Sequence, residues 1–207
     1  MPKSLLLVRH GQSTWNAEGR WQGWSDPPLS ELGRAQAQDA VDDLRHLEVT
    51  GVASSDLVRA RETAEVIAAA LNLGGPVIEG DLREYDVGDW EGLTRPEIES
   101  GWPEQLARWR EGRLLATPGG ETRAHFVTRT VEALARLSRR HDLGDTLVVV
   151  THGGVIRAVE QVSGTERSPV IENLAGRWFT VGPDGRLVPG ATVNLLDPER
   201  RTTSPSL

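Results

Sequence analysis

Two continuous apolar runs constrain this chain more than any other feature: Leu5 to Val8 and Leu147 to Val150. Each stops at a polar triplet built around a histidine, Arg9-His10-Gly11 after the first and Thr151-His152-Gly153 after the second. A short run with no polar alternation fits a strand buried on both faces, and such a strand needs helices on both sides. The chain supplies them. Ser30 can cap a helix whose Ala37, Ala40, Val41, Leu44 and Leu47 share one stripe. After a second strand at Val52 to Ser54, Asp56 can cap a helix with Leu57, Ala60, Ala64, Ile67, Ala68 and Leu71 on one face, closed by Gly74-Gly75-Pro76. Val77-Ile78 reads as a further short strand, and Pro103 to Glu111 as a short helix started by its proline. A long helix is expected from Glu121 to Arg140, and another after Gly154 carrying Val155, Ile156, Val159 and Val162. Trp178 to Val181 and Leu187 to Val193 flank Pro183-Asp184-Gly185 as a hairpin.

This alternation predicts an α/β fold: a three-layer αβα sandwich on a mostly parallel sheet, with a small helical cap insertion at 94–117 and the C-terminal hairpin at the sheet edge. No repeat or linker interrupts the chain, so one domain over 1–207 is expected, ending in a polar tail at 198–207. Ligands of such sheets bind beyond the carboxyl ends of the strands. Both histidines would therefore face one crevice.

Composition removes several functions. Thirty acidic against 23 basic residues leave a net charge of −7, which argues against nucleic acid or an anionic membrane as partner. Lys3 is the single lysine among those cations, so the rest are arginines, suited to two-pronged recognition of phosphate and carboxylate. With no cysteine there is no disulfide, thiolate nucleophile or cysteine-based metal site. The first apolar run is too short for a signal segment or a membrane span, so a cytoplasmic protein is expected. The five histidines show no close metal-ligand spacing, and neither metal nor cofactor is implied. His46, His125 and His141 read as surface residues.

The run after the first strand, Arg9-His10-Gly11-Gln12-Ser13-Thr14-Trp15-Asn16, continues through Gln22-Gly23-Trp24 and Leu29-Ser30-Glu31-Leu32-Gly33. Further along stand Ser54-Ser55-Asp56-Leu57-Val58-Arg59-Ala60-Arg61-Glu62-Thr63-Ala64, Leu82-Arg83-Glu84, Gly88-Asp89-Trp90-Glu91-Gly92, Pro118-Gly119-Gly120-Glu121 and Val150-Thr151-His152-Gly153-Gly154. In these ordered motifs the chain resembles the histidine phosphatase superfamily, in its phosphoglycerate mutase-like branch. The resemblance implies that His10 is the nucleophile, that Arg9, Arg59 and His152 hold phosphate, and that Asn16, Gln22 and Gly23 contact substrate. Ordinary loop hydrogen bonding is the plainer role for Asn16 and Gln22. The chemistry fits: phosphoryl transfer needs a nucleophile, cations for the anionic oxygens and an acid for the leaving alkoxide. A neutral imidazole attacks well and gives a labile phosphoramidate, and nearby cations keep it neutral. Arg61, two positions from Arg59, points elsewhere on the helix.

An Asp following the second histidine would mark the acid phosphatase branch, and Gly153 stands there instead. The Leu-x-Glu segment of the mutase-like branch makes Glu84 the acid, with Glu62 and Asp86 as alternatives. The short insertion after Leu93 and the anion at Asp86 favour a phosphatase acting on small phosphorylated metabolites over a cofactor-dependent phosphoglycerate mutase. A non-catalytic module that binds phosphorylated ligands is the third reading, disfavoured because binding needs no acid. Trp102 and Trp109, with Arg108, Arg110 and Arg113, could close over a leaving group or simply pack on the core, and the same choice applies to Trp15, Trp21 and Trp24. The edge hairpin could pair in a homodimer.

Overall fold

The structure, a computed structural model, describes residues 3–166, 168 and 170–200. Within them the elements follow in the order β1 (Ser4–Arg9), α1 (Thr14–Glu18), α2 (Glu31–Leu44), β2 (Gly51–Ser54), α3 (Val58–Ala70) and β3 (Val77–Ile78). Then come α4 (Arg95–Gly101), α5 (Pro103–Arg110), α6 (Arg123–Ser138), β4 (Thr146–Thr151), α7 (Gly153–Val162), β5 (Ala175–Val181) and β6 (Leu187–Asn194). The strands form one sheet in the order β3-β2-β4-β1-β5-β6. β3, β2, β4 and β1 run parallel, and the β5-β6 hairpin adds two antiparallel strands at the edge beside β1. The expected α/β sandwich is therefore the one observed.

The apolar runs explain the layering. Side chains alternate across a strand, so Leu5 and Leu7 pack with Leu134, Leu137, Val155 and Val159 of α6 and α7. Leu6 and Val8 pack on the opposite face with Val41, Leu44 and Ile67 of α2 and α3. Burying each such side chain stabilises the fold by roughly 1.5–3 kcal/mol. β1 and β4 pair in register from Ser4 with Thr146 to Arg9 with Thr151. The next residue of each strand, His10 and His152, consequently emerges beside the other.

Helix ends depart from the expectations where charged groups find stronger partners. Ser30 caps α2 as expected, accepting from Gly33 N at 3.0 Å. Asp56 does not cap α3: its carboxylate takes both prongs of Arg83 at 2.8 and 2.6 Å, and Asp26 of a distant loop accepts from Val58 N at 2.7 Å. α6 starts at Arg123 behind the cap Thr122, later than expected, because Glu121 is drawn to Arg129. The helices α1 and α4 escaped the periodicity reading, being too short to show an apolar stripe. Their signals are capping boxes, Ser13 with Asn16 and Thr94 with Glu97.

The expected cap segment holds α4 and α5, whose Ile98 and Leu106 are buried in the main core. β5 begins earlier than expected because Gly176 lies against β1, where a Cβ would stand 1.9 Å from Leu7 O. On the outer strand, Pro189 withdraws a donor, a common feature of edge strands. Of the expected tail, Pro198–Arg200 forms a single 3-10 turn and the remainder lies outside the described residues. Among the described residues no helix is long and apolar enough to cross a membrane.

Candidate active site

The site is assembled at the carboxyl ends of β1 and β4. The β1 end is fixed through its main chain: Leu174 N donates to Arg9 O at 3.0 Å and Asn173 Nδ2 to His10 O at 2.8 Å. Gly11 must be glycine, since a Cβ there would lie 2.5 Å from Gly33 O in the first turn of α2. His10 is buried, and its Nδ1 lies 2.6 Å from Gly11 O. A carbonyl oxygen only accepts, so Nδ1 carries the proton and Nε2 keeps its lone pair. Burial, then the charges of Arg59 and Arg9, hold the His10 pKa well below the usual imidazole value.

His152 stands with its ring centroid 5.2 Å from that of His10, the planes at 64°. It is fully buried, and among the described residues neither ring nitrogen has a hydrogen-bond partner. Its pKa is also held well below the ordinary value, by burial and by Arg59 and His10. Both imidazoles are neutral at pH 7.

Arg9 and Arg59 are buried cations. Arg9 Nη1 donates to Ile171 O at 2.6 Å, while Arg59 donates through Nη1 to Ser25 O at 2.8 Å and through Nη2 to Gly23 O at 2.9 Å. Burial lowers each pKa to about 10, against the opposing pull of Glu84. Both remain charged at neutral pH. Two buried guanidinium groups at one end of the sheet favour an anion beside them.

Glu84 follows the turn Gly80–Leu82 and is buried. Its Oε1 accepts from Tyr85 N at 2.9 Å and its Oε2 from Gly154 N at 3.0 Å, at the start of α7. A Cβ on Gly154 would stand 2.1 Å from Oε1, so the second glycine after His152 makes room for this carboxylate. The alternative acids are engaged elsewhere: Glu62 pairs with Arg34 at 3.2 Å, and Asp86 Oδ1 accepts from Gly88 N at 2.9 Å. Arg61 lies on the exposed side of α3 near Glu65, as expected.

The loop residues divide. Asn16 Oδ1 accepts from Ser13 N at 3.1 Å in the α1 capping box, and its buried Nδ2 has no partner among the described residues. Gln22 Oε1 accepts from Ser13 Oγ at 2.7 Å. Gly23, at φ +51°, turns its carbonyl to Arg59. Asn16 and Gln22 thus hold the loop together, and Gly23 touches the site cation directly.

Arg129 was missed by the sequence reading. From the inner face of α6 it donates through Nη2 to Glu84 O and through Nη1 to Asp81 O and Arg83 O, all at 2.8 Å, and pairs with Glu121 at 2.5 Å. The signal was present, since Arg129 sits on the buried stripe with Phe126 and Ala133. Tryptophans 21, 90 and 109 pack edge to face or tilted with one another, and Trp109 meets Tyr85 at a tilt, with ring centroids 5.1 Å apart. Trp102 packs against the same core, so these side chains serve packing. Trp24 differs: it is 37% exposed and donates through Nε1 to Glu84 O at 2.9 Å. His46, His125 and His141 are exposed. Among the described residues no group of three or more His, Asp or Glu side chains is placed to hold a metal ion.

The model of the histidine phosphatase superfamily, branch 1, matches residues 5–167. The chain is 40% identical over 158 residues to phosphoglycerate mutase-like protein 4 of Arabidopsis thaliana, covering 75% of this chain and 68% of the relative. It is 37% identical over 164 residues to the glucosyl-3-phosphoglycerate phosphatase of Mycolicibacterium vanbaalenii (76% and 72% covered). It is 36% identical over 171 residues to the 2,3-bisphosphoglycerate-dependent phosphoglycerate mutase of Nitrobacter winogradskyi (76% and 79% covered). The solved structure of Bacillus stearothermophilus YhfR superposes with a TM-score of 0.80 at 32% identity, covering 91% of this chain and 95% of that one. With the histidine pair, the buried arginines and the matched model in agreement, the chain belongs to the histidine phosphatase superfamily, branch 1.

Proposed function

We propose that this chain hydrolyses phosphomonoesters of small metabolites in two steps, through a phosphohistidine at His10 and without a metal ion. In the first step the Nε2 lone pair attacks phosphorus in line. The N–P bond forms, the ester P–O bond breaks, and Glu84 gives the leaving oxygen its proton. Arg9, Arg59 and His152 hold the three remaining phosphoryl oxygens, whose charge is spread in the transition state. In the second step Glu84 takes a proton from water, which attacks phosphorus and releases His10 and inorganic phosphate.

The observation that carries this reading is the 2.6 Å contact of His10 Nδ1 with Gly11 O: an oxygen that only accepts keeps the proton on Nδ1 and leaves Nε2 as the nucleophilic atom. Transfer to water rather than back to a bisphosphate is supported by the cap. Arg110 and Arg113 there pair with Glu99 and Glu111 on the surface. The mutase relative keeps phosphoglycerate mutation as the second reading. Phosphate release from a panel of phosphorylated sugars, amino acids and glycerates, run beside a mutase assay, separates the two. Release from at least one metabolite at kcat/KM above about 10⁴ M⁻¹s⁻¹ supports hydrolysis, and mutase turnover exceeding release overturns it.

A further inference from the structure

The motif Trp90-Glu91-Gly92 has no part in the chemistry above, yet Glu91 binds the loop Gln22–Asp26 through both of its carboxylate oxygens. Its Oε1 accepts from Trp24 N at 2.5 Å, and its Oε2 accepts from Ser25 N at 3.0 Å and Ser25 Oγ at 2.5 Å. The packing beneath is close, because a Cβ on Gly23 would stand 2.3 Å from Oε1. Glu91 itself is rigidly placed: Trp90 is fully buried, and Gly92 N donates to Trp21 O at 2.8 Å.

What this loop does explains the contacts. Its carbonyls at Gly23 and Ser25 are the two acceptors that aim the Arg59 guanidinium. Its Asp26 carboxylate caps the helix on which Arg59 stands. A segment without regular structure must therefore be held still if a buried cation is to meet phosphate in one geometry, and a two-oxygen anion accepting successive main-chain N–H groups does that. The Glu91 charge also opposes the effect of burial on Arg59.

The structure assigns Glu91 as a positioning residue for phosphate binding: through the main chain of Trp24 and Ser25 it holds the carbonyls that orient Arg59. This rests on the reading of Arg59 as a phosphate ligand. A glutamine keeps the size but sets an amide NH₂ against the loop's N–H donors, so at least one charge-assisted bond is lost. Such bonds shift an equilibrium by about ten- to a hundredfold.

The test uses inorganic phosphate as competitive inhibitor of nitrophenyl phosphate hydrolysis in the parent, Glu91→Gln, Arg59→Ala and the double variant, with thermal melts of each. Glu91→Gln should raise the phosphate Ki and the KM about tenfold, at a melting temperature close to the parent's. It should leave the ratio of aryl to alkyl phosphate hydrolysis unchanged, because the carboxylate of Glu84 is held by Tyr85 N and Gly154 N rather than by this loop. In the double variant its effect should vanish, since Arg59 is already gone. A parent-like Ki in Glu91→Gln, or losses that add in full in the double variant, overturns the inference. An unchanged Ki in Arg59→Ala overturns the phosphate reading of Arg59 and the inference with it, and so is told apart from failure of Glu91 alone. If Glu91→Gln does not fold, Ser25→Ala removes only the Oγ contact and should raise Ki about two- to threefold, again without effect in the Arg59→Ala background. No change there overturns the inference equally.

Discussion

His10 and His152 end neighbouring parallel strands, are both buried and both have depressed pKa values, yet their rings are held in opposite ways. Gly11 O fixes the His10 ring at Nδ1, whereas among the described residues neither nitrogen of His152 has a hydrogen-bond partner. A fixed tautomer suits an atom that must attack along one line. A ring with both nitrogens uncommitted suits a donor to phosphoryl oxygen. Equal burial and equal neutrality therefore do not make equal roles; the partner of the second ring nitrogen decides.

Substitution should break this symmetry most strongly. His10→Ala is expected to lower phosphate release by about 10⁴-fold or more, as loss of a nucleophile does, while His152→Ala loses about 10²–10³-fold, the worth of one transition-state donor. Steady-state kinetics on one aryl phosphate measures both. Losses of equal size would erase the distinction.

The Glu84 carboxylate lies against the first turn after His152, where its Oε2 accepts from Gly154 N. Glu84→Gln should slow an alkyl phosphate by about 10²–10⁴-fold and a nitrophenyl phosphate much less, because the better leaving group hardly needs the proton. Equal losses in kcat/KM for the two substrates would turn Glu84 into a binding group.

The smallest effect is on stability. Both histidines have folded-state pKa values below the unfolded value of about 6.5. Above that pH they are neutral in both states and contribute nothing. Below it the unfolded chain binds protons that the folded chain refuses, so stability falls as pH drops, with a limiting slope of about 1.4 kcal/mol per pH unit for each histidine. Urea unfolding between pH 6.5 and 5 should show this slope, and replacing either histidine should remove its share. A slope left intact in both variants would mean that other groups govern the acid limb.

The parts of this site legible in the sequence were those encoded locally. The runs Leu5–Val8 and Leu147–Val150 carry their burial in composition, and the residue after each strand is placed by the sheet itself. Gly11 and Gly154 are needed for close approach, and both sit inside the motifs that were read. Asp26 capping α3 and Glu91 holding Trp24 were not legible, and of Arg129 only its place on the buried stripe of α6 was, not its bond to the carbonyl of Glu84. Each is a charge bonded to main-chain atoms far along the chain, and a main-chain partner leaves no trace in residue type. Asp56 shows the converse: a good local cap was outcompeted by a bidentate arginine reached only through the fold.

The most direct test of the central claim is to trap the phosphoryl group. The enzyme is mixed with radiolabelled substrate, quenched in base within the first turnovers, digested, and the labelled peptide identified. The account predicts an acid-labile, base-stable label on the peptide containing His10, lost in His10→Ala and retained in His152→Ala. Label on His152, or no label under conditions where turnover is shown, would contradict it.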